Sequence, residues 1–194
     1  HRVDRRQRQM CIRDSCPWRS LRPTMNVPEI SLLPADSSFF FTAMTNRNLF
    51  AALRAAFPQD LQKWAVEAIG ADGASLFYSW ADLDRGSARM ANLLQSLQLP
   101  PASRIAVQVE KSVEALMLYL ATLRSGHVFL PLNTAYQSAE IEYFVGNAEP
   151  AVVVCAPGNF GWVSKIAFTS GVAHVYTLGD DRSGTLLELS LIHI

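Results

Sequence analysis

From Arg104 to Gly179 the chain alternates between short apolar runs and segments of helical period, and this rhythm limits the folds open to it. "RIAVQV", "HVFLPL", "AVVVCA" and "HVYTLG" are strand-like, and "AVVVCA" is apolar throughout, as a strand covered on both faces should be. Between them lie "KSVEALMLYLATLRSG", "SAEIEYFVGNA" and "FGWVSKIAFTSG", which read as helices. Ser112 is placed to cap the first of these, with Gly126 closing it. Strand, helix, strand, helix in this order implies an α/β fold: three layers, doubly wound, with a mostly parallel sheet between helices. In such sheets ligands gather outside the carboxyl ends of the strands.

The preceding stretch fits the same architecture. "NRNLFAALRAAF" sets Leu49, Leu53 and Phe57 on one helical face and stops at Pro58. "KWAVEAI" and "ASLFYS" are short strands around the turn signal Asp72-Gly73. In "SWADLDRGSARMANLLQSLQL", Ser79 is the expected N-cap and Asp82 lies in the first turn, where its charge complements the helix dipole. Leu83, Met90, Leu94 and Leu97 form its apolar stripe beside Ala91, and Pro100-Pro101 ends the element.

A chain of 194 residues that is 49% apolar can bury one substantial core. Its net charge is zero, but the charges are unevenly spread. Residues 1–43 hold seven Arg against four acids, leaving ten basic and thirteen acidic residues from Met44 onward. The patterned part is therefore mildly acidic and has no nucleic-acid footprint. No apolar run approaches the roughly 20 residues of a bilayer helix. The Arg-rich start does not read as a transit peptide, because Asp4 and Asp14 interrupt it.

The two ends are explained together by the genetic code. "MCIRDS" can be written ATG TGT ATA AGA GAC AG, and the reverse complement, CTG TCT CTT ATA CAC AT, reads "LSLIHI". Residues 5–15 and 189–194 are accordingly expected to be translated adapter DNA of the transposase type, in preference to a phosphate-binding basic arm. Residues 16–43 carry four of the ten prolines and show no periodicity, so 1–43 is expected to be a non-native or disordered leader. The domain then starts near Met44 and runs to residue 188 as part of a longer one. Met25 and Met44 both remain open as the natural start.

"FYSWADLDRGSARMANLLQSL", "IAVQVEKSVEALMLYLATLRSGHVFLPLNTAYQSAEIEYFVGNAEPAVVVC" and "NLFAALRAAF" resemble the first part of adenylate-forming acid–CoA ligases, the AMP-dependent synthetase/ligase family, most closely its malonyl-CoA synthetases. "EKSVEALMLYLATLRSGHVFLPLNTAY" is the most specific piece, and the resemblance covers residues 46–187. It implies the first part of the large N-terminal domain of an AMP-forming acyl-CoA synthetase in the cytoplasm. The full-length parent would use ATP, Mg²⁺ and coenzyme A on a carboxylic acid, malonate first among the candidates. The resemblance also places the family's phosphate loop, adenine-binding motif, ribose-binding Asp, hinge and catalytic Lys beyond residue 188. No catalytic residue and no metal ligand is therefore assigned here, and none of the three small molecules is expected to bind fully to this portion.

The candidate site within reach is "PLNTAY", Pro131 to Tyr136. Asn133 and Thr134 leave a strand at its carboxyl end, at the rim where related ligases admit coenzyme A. The competing reading is that they only organise the loop before the next helix, with Ser138 as its N-cap. Thr169-Ser170-Gly171 opens like a phosphate loop, but Val172-Ala173-His174 follows, so a helix end capped by Gly171 is expected. Cys155 reads as a small core residue, Glu110 and Lys111 as a solvated pair, and Ser164-Lys165 has no general base beside it. His127 and His174 lack partners at zinc spacing, Cys11 and Cys16 lie in or beside the adapter stretch, and "GNFGW" is too short for a dinucleotide fingerprint.

Two other functions share this pattern: a noncatalytic ligand-binding module, and an adenylation enzyme for another acid, including an amino acid loaded on a carrier protein. Sequencing the source genome across both junctions tests the adapter reading. The expected result is that the codons for the two terminal hexapeptides are missing there; their presence in one continuous genomic frame overturns it.

Overall fold

The computed structural model describes residues 48–70 and 73–192. The leader, Met25, Met44, Cys11, Cys16 and His193 lie outside the described residues. Among the described residues the elements are α1 (Leu49–Ala55), β1 (Trp64–Ile69), β2 (Ser75–Ser79), α2 (Trp80–Ser96), β3 (Arg104–Gln108), α3 (Val113–Arg124) and β4 (Val128–Pro131). They continue with α4 (Ser138–Ala148), β5 (Val152–Cys155), a short 3₁₀ turn (Pro157–Asn159), α5 (Phe160–Thr169), β6 (His174–Thr177) and α6 (Thr185–Ile192).

Strands β3 to β6 make a four-stranded parallel sheet in the order β4-β3-β5-β6. The chain leaves β3 for one neighbour and then returns to pair β5 on its other side, which makes the β3/β5 boundary the topological switch point. Side chains alternate across the sheet and supply two cores. Ile105, Val107, Val152 and Val154 face Leu83, Met90, Leu94, Leu118 and Leu186. Ala106, Val153 and Cys155 face Ile141, Val145, Val163 and Ala167. This is the three-layer arrangement the alternation implies, with α2, α3 and α6 on one face and α4 and α5 on the other. Fully burying a side chain such as Leu94, Leu118 or Ile141 contributes about 1.5–3 kcal/mol.

Helix α2 starts where its sequence says it should. The Ser79 hydroxyl accepts from the Asp82 N–H at 3.1 Å, and the Asp82 carboxylate accepts from the Ser79 N–H at 2.9 Å. The Ser79 hydroxyl also donates to the Asp82 carboxylate at 2.6 Å, and this bond, followed by the one from the Ser79 N–H, holds the Asp82 carboxyl below its ordinary range. Leu83, Met90, Ala91 and Leu94 are buried as their spacing requires, whereas Leu97 is the half-buried C-cap. Gly86 lets α3 approach, since a methyl group there would collide with the Met117 thioether.

Helix α1 contributes no buried residue. Arg54 and Arg124 instead meet the Asp84 carboxylate at 3.1 and 2.9 Å, and Arg124 lies over the Phe50 ring at 4.8 Å. Burial pushes the Asp84 carboxyl up, but the bonds from the two guanidinium groups outweigh it and hold the group below its usual range. Asn48 caps α1 through the Phe50 N–H and donates its amide to the Leu123 carbonyl at 2.8 Å.

β1 and β2 form the expected antiparallel hairpin, leading directly into α2. Two further local features differ from expectation. The N-cap of α4 is Gln137 and not Ser138, because the Glu140 carboxylate reaches back to accept the Gln137 N–H at 3.0 Å and the helix has already begun at Ser138. The second is α6, which no periodicity had marked and which takes in Leu189 and Ser190.

The turn into α6 is set by a reciprocal threonine pair: Thr177 N–H donates to Thr185 Oγ1 and Thr185 N–H to Thr177 Oγ1, both at 3.0 Å. Gly184 makes this possible at φ +121°, and a Cβ there would run into the Thr177 carbonyl. Gly184→Ala is expected to lower unfolding stability by about 3 kcal/mol, measured by urea denaturation; a loss below about 0.5 kcal/mol contradicts this account of the turn.

Candidate functional site

The carboxyl ends of β3 to β6 carry the polar groups that the helices leave uncovered. After β4, Leu132 N–H donates to the Val107 carbonyl at 2.8 Å, and the chain then turns away from the sheet. Asn133 Oδ1 accepts from the Ala135 N–H at 2.9 Å, and the Tyr136 N–H donates to the Asn133 carbonyl at 3.1 Å. Gln108, the last residue of β3 and 1% exposed, donates its amide to the Asn133 and Tyr136 carbonyls at 3.1 and 2.9 Å. The Tyr136 ring stacks on Phe144 at 5.1 Å. Asn133 and Thr134 stand exposed at the tip of this loop. The Asn133 side chain is thus engaged in shaping the loop, and Thr134 faces solvent beside it.

At the switch point the Gln108 carbonyl accepts from the Ala156 N–H at 3.1 Å, so the exits of β3 and β5 are joined through the main chain. Glu110 and Lys111 are exposed. Ser112 then caps α3 through the Ala115 N–H at 3.0 Å.

A second polar group lies in the first turn of α3. Glu114, 6% exposed, accepts at Oε1 from Tyr78 Oη at 2.9 Å and pairs there with Arg182 Nε at 3.3 Å. The Arg182 guanidinium also lies over the Tyr78 ring at 5.9 Å, and its backbone is in the left-handed region at φ +66°. Burial, then the hydrogen bond to Glu114 and its charge, push the Tyr78 phenol up, with Arg182 opposing them. Tyr78, Glu114 and Arg182 border two cavities of about 640 and 490 Å³. Charges around them balance: Asp82, Glu114, Asp180 and Asp181 against Arg85, Arg89, Lys111 and Arg182. The balance holds only for the two together: the larger cavity has Asp82 and Glu114 against Arg85, Arg89 and Arg182, and the smaller has Glu114, Asp180 and Asp181 against Lys111 and Arg182.

Sequence reasoning did not single out Tyr78, Glu114 or Arg182. An acid in the first turn of a helix reads as a solvated complement to the dipole, and its partners lie on a hairpin strand 36 residues away and in the loop after β6. Gln108 was legible in principle, as a polar residue inside a buried run. The decoys resolve as expected. Gly171 adopts φ +84° after the C-cap Ser170, and the Val172 N–H closes on the Ala167 carbonyl at 3.0 Å, so Thr169-Ser170-Gly171 is the end of α5. Gly158 and Asn159 form the 3₁₀ turn before that helix. Burial pulls the His127 imidazole below its ordinary pKa. Among the described residues, no three or more His, Cys, Asp or Glu residues gather as a metal cluster. No helix among them is long and apolar enough to cross a membrane.

Comparison with known proteins gives the geometry a context. The family described as "AMP-binding enzyme" matches residues 54–186. Among solved structures, ATP-bound MatB of Rhodopseudomonas palustris is 44% identical with a TM-score of 0.66, over 74% of this chain and 27% of that one. A benzoate CoA ligase of Burkholderia xenovorans LB400 shares the fold at 20% identity and a TM-score of 0.61, over 74% of this chain and 28% of its own. The fold is that of the N-terminal domain of acyl-CoA synthetase structures. Curated relatives include the malpinin synthetase of Mortierella alpina, 28% identical over 68% of this chain and 2% of that protein. The nonribosomal peptide synthetase 5 of Gibberella zeae is 32% identical over 41% of this chain and 1% of its own length. The chain therefore spans only a small part of each relative.

Cys155 gives a direct test of the buried strand. The side chain is 0% exposed, and burial pushes its thiol up to about 11. With Cys11 and Cys16 replaced by Ser, Cys155 is expected to resist a thiol reagent at about pH 8 in the native protein and to react on unfolding. Complete labelling of the native protein contradicts the β5 assignment.

Proposed function

We propose that this chain, which belongs to the AMP-binding enzyme family, is the amino-terminal part of an ATP-dependent, AMP-forming acid–thiol ligase, and that residues 44–188 are part of its large domain. In the proposed reaction a carboxylate attacks the α-phosphate of ATP, releasing pyrophosphate and leaving an acyl-adenylate. A thiol then displaces AMP to form the thioester. Malonate is the proposed acid and coenzyme A the proposed thiol, with a cytoplasmic location suited to those small molecules. The observation that carries the reading is the likeness to ATP-bound MatB, which is far above the level at which only fold is shared.

The chain's own residues have a limited role in this chemistry. Such a reaction needs donors and cations on the phosphates, and the described residues supply no Ser/Thr/Gly-rich loop with a following Lys. What they offer is a rim: the loop from Pro131 to Tyr136, with Asn133 and Thr134 as the proposed polar contacts for the incoming thiol. Mg²⁺ belongs to the parent reaction as a partner of ATP, and no step through it is assigned to these residues.

A second reading has a specific observation behind it. The curated relatives are mostly nonribosomal peptide synthetases, which favours an amino acid as the activated acid. Pyrophosphate release with malonate, ATP and Mg²⁺ is the test. The 194-residue chain is expected to show no turnover above blank, and turnover there overturns its assignment as a partial domain. Enzyme expressed from the gene extended through its downstream coding sequence is expected to respond to malonate. Exchange driven by amino acids and not by malonate replaces the first reading with the second.

A further inference from the structure

Gln108 is a polar residue at the end of the central strand, and almost nothing of it reaches solvent. Burying a carboxamide is costly unless both its ends find partners. Here only one end does. Nε2 uses its two hydrogens on the Asn133 and Tyr136 carbonyls, while Oε1 is buried without any partner. The two carbonyls also fix the amide's orientation, since turning it over would set oxygen against oxygen. An apolar residue of similar length would fill this position without an orphaned oxygen. The observation to explain is therefore why a glutamine stands there.

The bonds it makes are not those of a core. Both acceptors belong to the exposed loop after β4, and the loop's other internal bonds come from Asn133 and Tyr136 themselves. Besides Gln108, the loop is tied to the domain by the Leu132 N–H bond to Val107, the buried Leu132 side chain, the Tyr136–Phe144 stack and the Gln137 amide on the Ala135 carbonyl at 3.3 Å, none of which grips the Asn133 and Tyr136 carbonyls. The same residue's main-chain oxygen holds Ala156, the first residue after β5. One residue thus sets the β4 exit relative to the switch point, where ligands of doubly wound sheets are bound.

We infer that Gln108 is a positioning residue: its buried carboxamide fixes the shape of the Asn133–Tyr136 rim against the sheet and so governs use of the thiol substrate, without touching that substrate. This rests on the proposed role of the rim, while the hold on the loop stands on the geometry alone. Gln108→Met preserves length and apolar packing and removes both donors.

Two measurements test it. Amide hydrogen exchange in the 194-residue chain is expected to speed up at least about tenfold at Ala135 and Tyr136 in the variant, with Val153 and Val154 of β5 within about twofold. Equal acceleration through β5, or none in the loop, overturns the inference. In the enzyme expressed from the extended gene, the variant is expected to raise KM for coenzyme A about tenfold while acid-dependent ATP–pyrophosphate exchange stays within about twofold. Equal loss in both steps, or in neither, overturns it. A wild-type enzyme that exchanges pyrophosphate but accepts no thiol overturns the rim's proposed function and its control by Gln108; the exchange result still decides whether Gln108 holds the loop.

Discussion

Everything in this domain is arranged around the pairing of β3 on both of its sides. Arg104 to Val107 register with Val128 to Pro131, and Ile105 to Gln108 with Val152 to Cys155. Arg104 opens this strand exposed, but from Ile105 onward it has no solvent-facing side, so the apolar side chains there must satisfy one helical layer or the other. Ile105 and Val107 do so toward α2 and α3, and Ala106 toward α4 and α5. A register slip of one residue would exchange these sets, placing Ala106 where two branched side chains are needed. The position of every exit loop follows from this one alignment.

At the carboxyl edge the requirement changes from apolar fit to polar satisfaction. Strands end there, and the donors and acceptors of their last residues are taken up locally: Val107 O by Leu132, Gln108 O by Ala156, Cys155 O by Leu178. Tyr78, Glu114 and Arg182 answer the same need on the other side of the rim, where a carboxylate in the first turn of α3 is matched by a phenol and a guanidinium. The arrangement orders the edge, and the family's phosphate chemistry requires groups that the described residues do not include.

The elements with local causes were legible before any coordinates. Ser79 and Ser112 announce their helices because a hydroxyl at that position has a free N–H to accept from, and Gly126 and Gly171 mark helix ends because their φ values are positive. Asn133 shaping its own loop was also visible as one of two readings, and its Oδ1 bond to Ala135 shows that role; contact with a thiol is a separate proposal. What could not be read depends on distant partners. The cap of α4 is settled by Glu140 reaching back to Gln137, which a search for Ser at the boundary misses. The start of α6 depends on Thr177 meeting Thr185 across a turn that only Gly184 permits. The hydrogen-bond partners of Gln108 lie 25 and 28 residues away.

Helix α1 is attached differently from the rest of the domain. It buries no side chain and is held by the Arg54–Asp84 pair, by Arg124 of α3 over the Phe50 ring, and by the Asn48 amide on the Leu123 carbonyl. Those charges are partly solvated, so dissolved electrolyte competes with them far more than it does with the apolar layers. High ionic strength should therefore loosen this first helix while the parallel sheet stays intact, making its docking a local equilibrium separate from global unfolding.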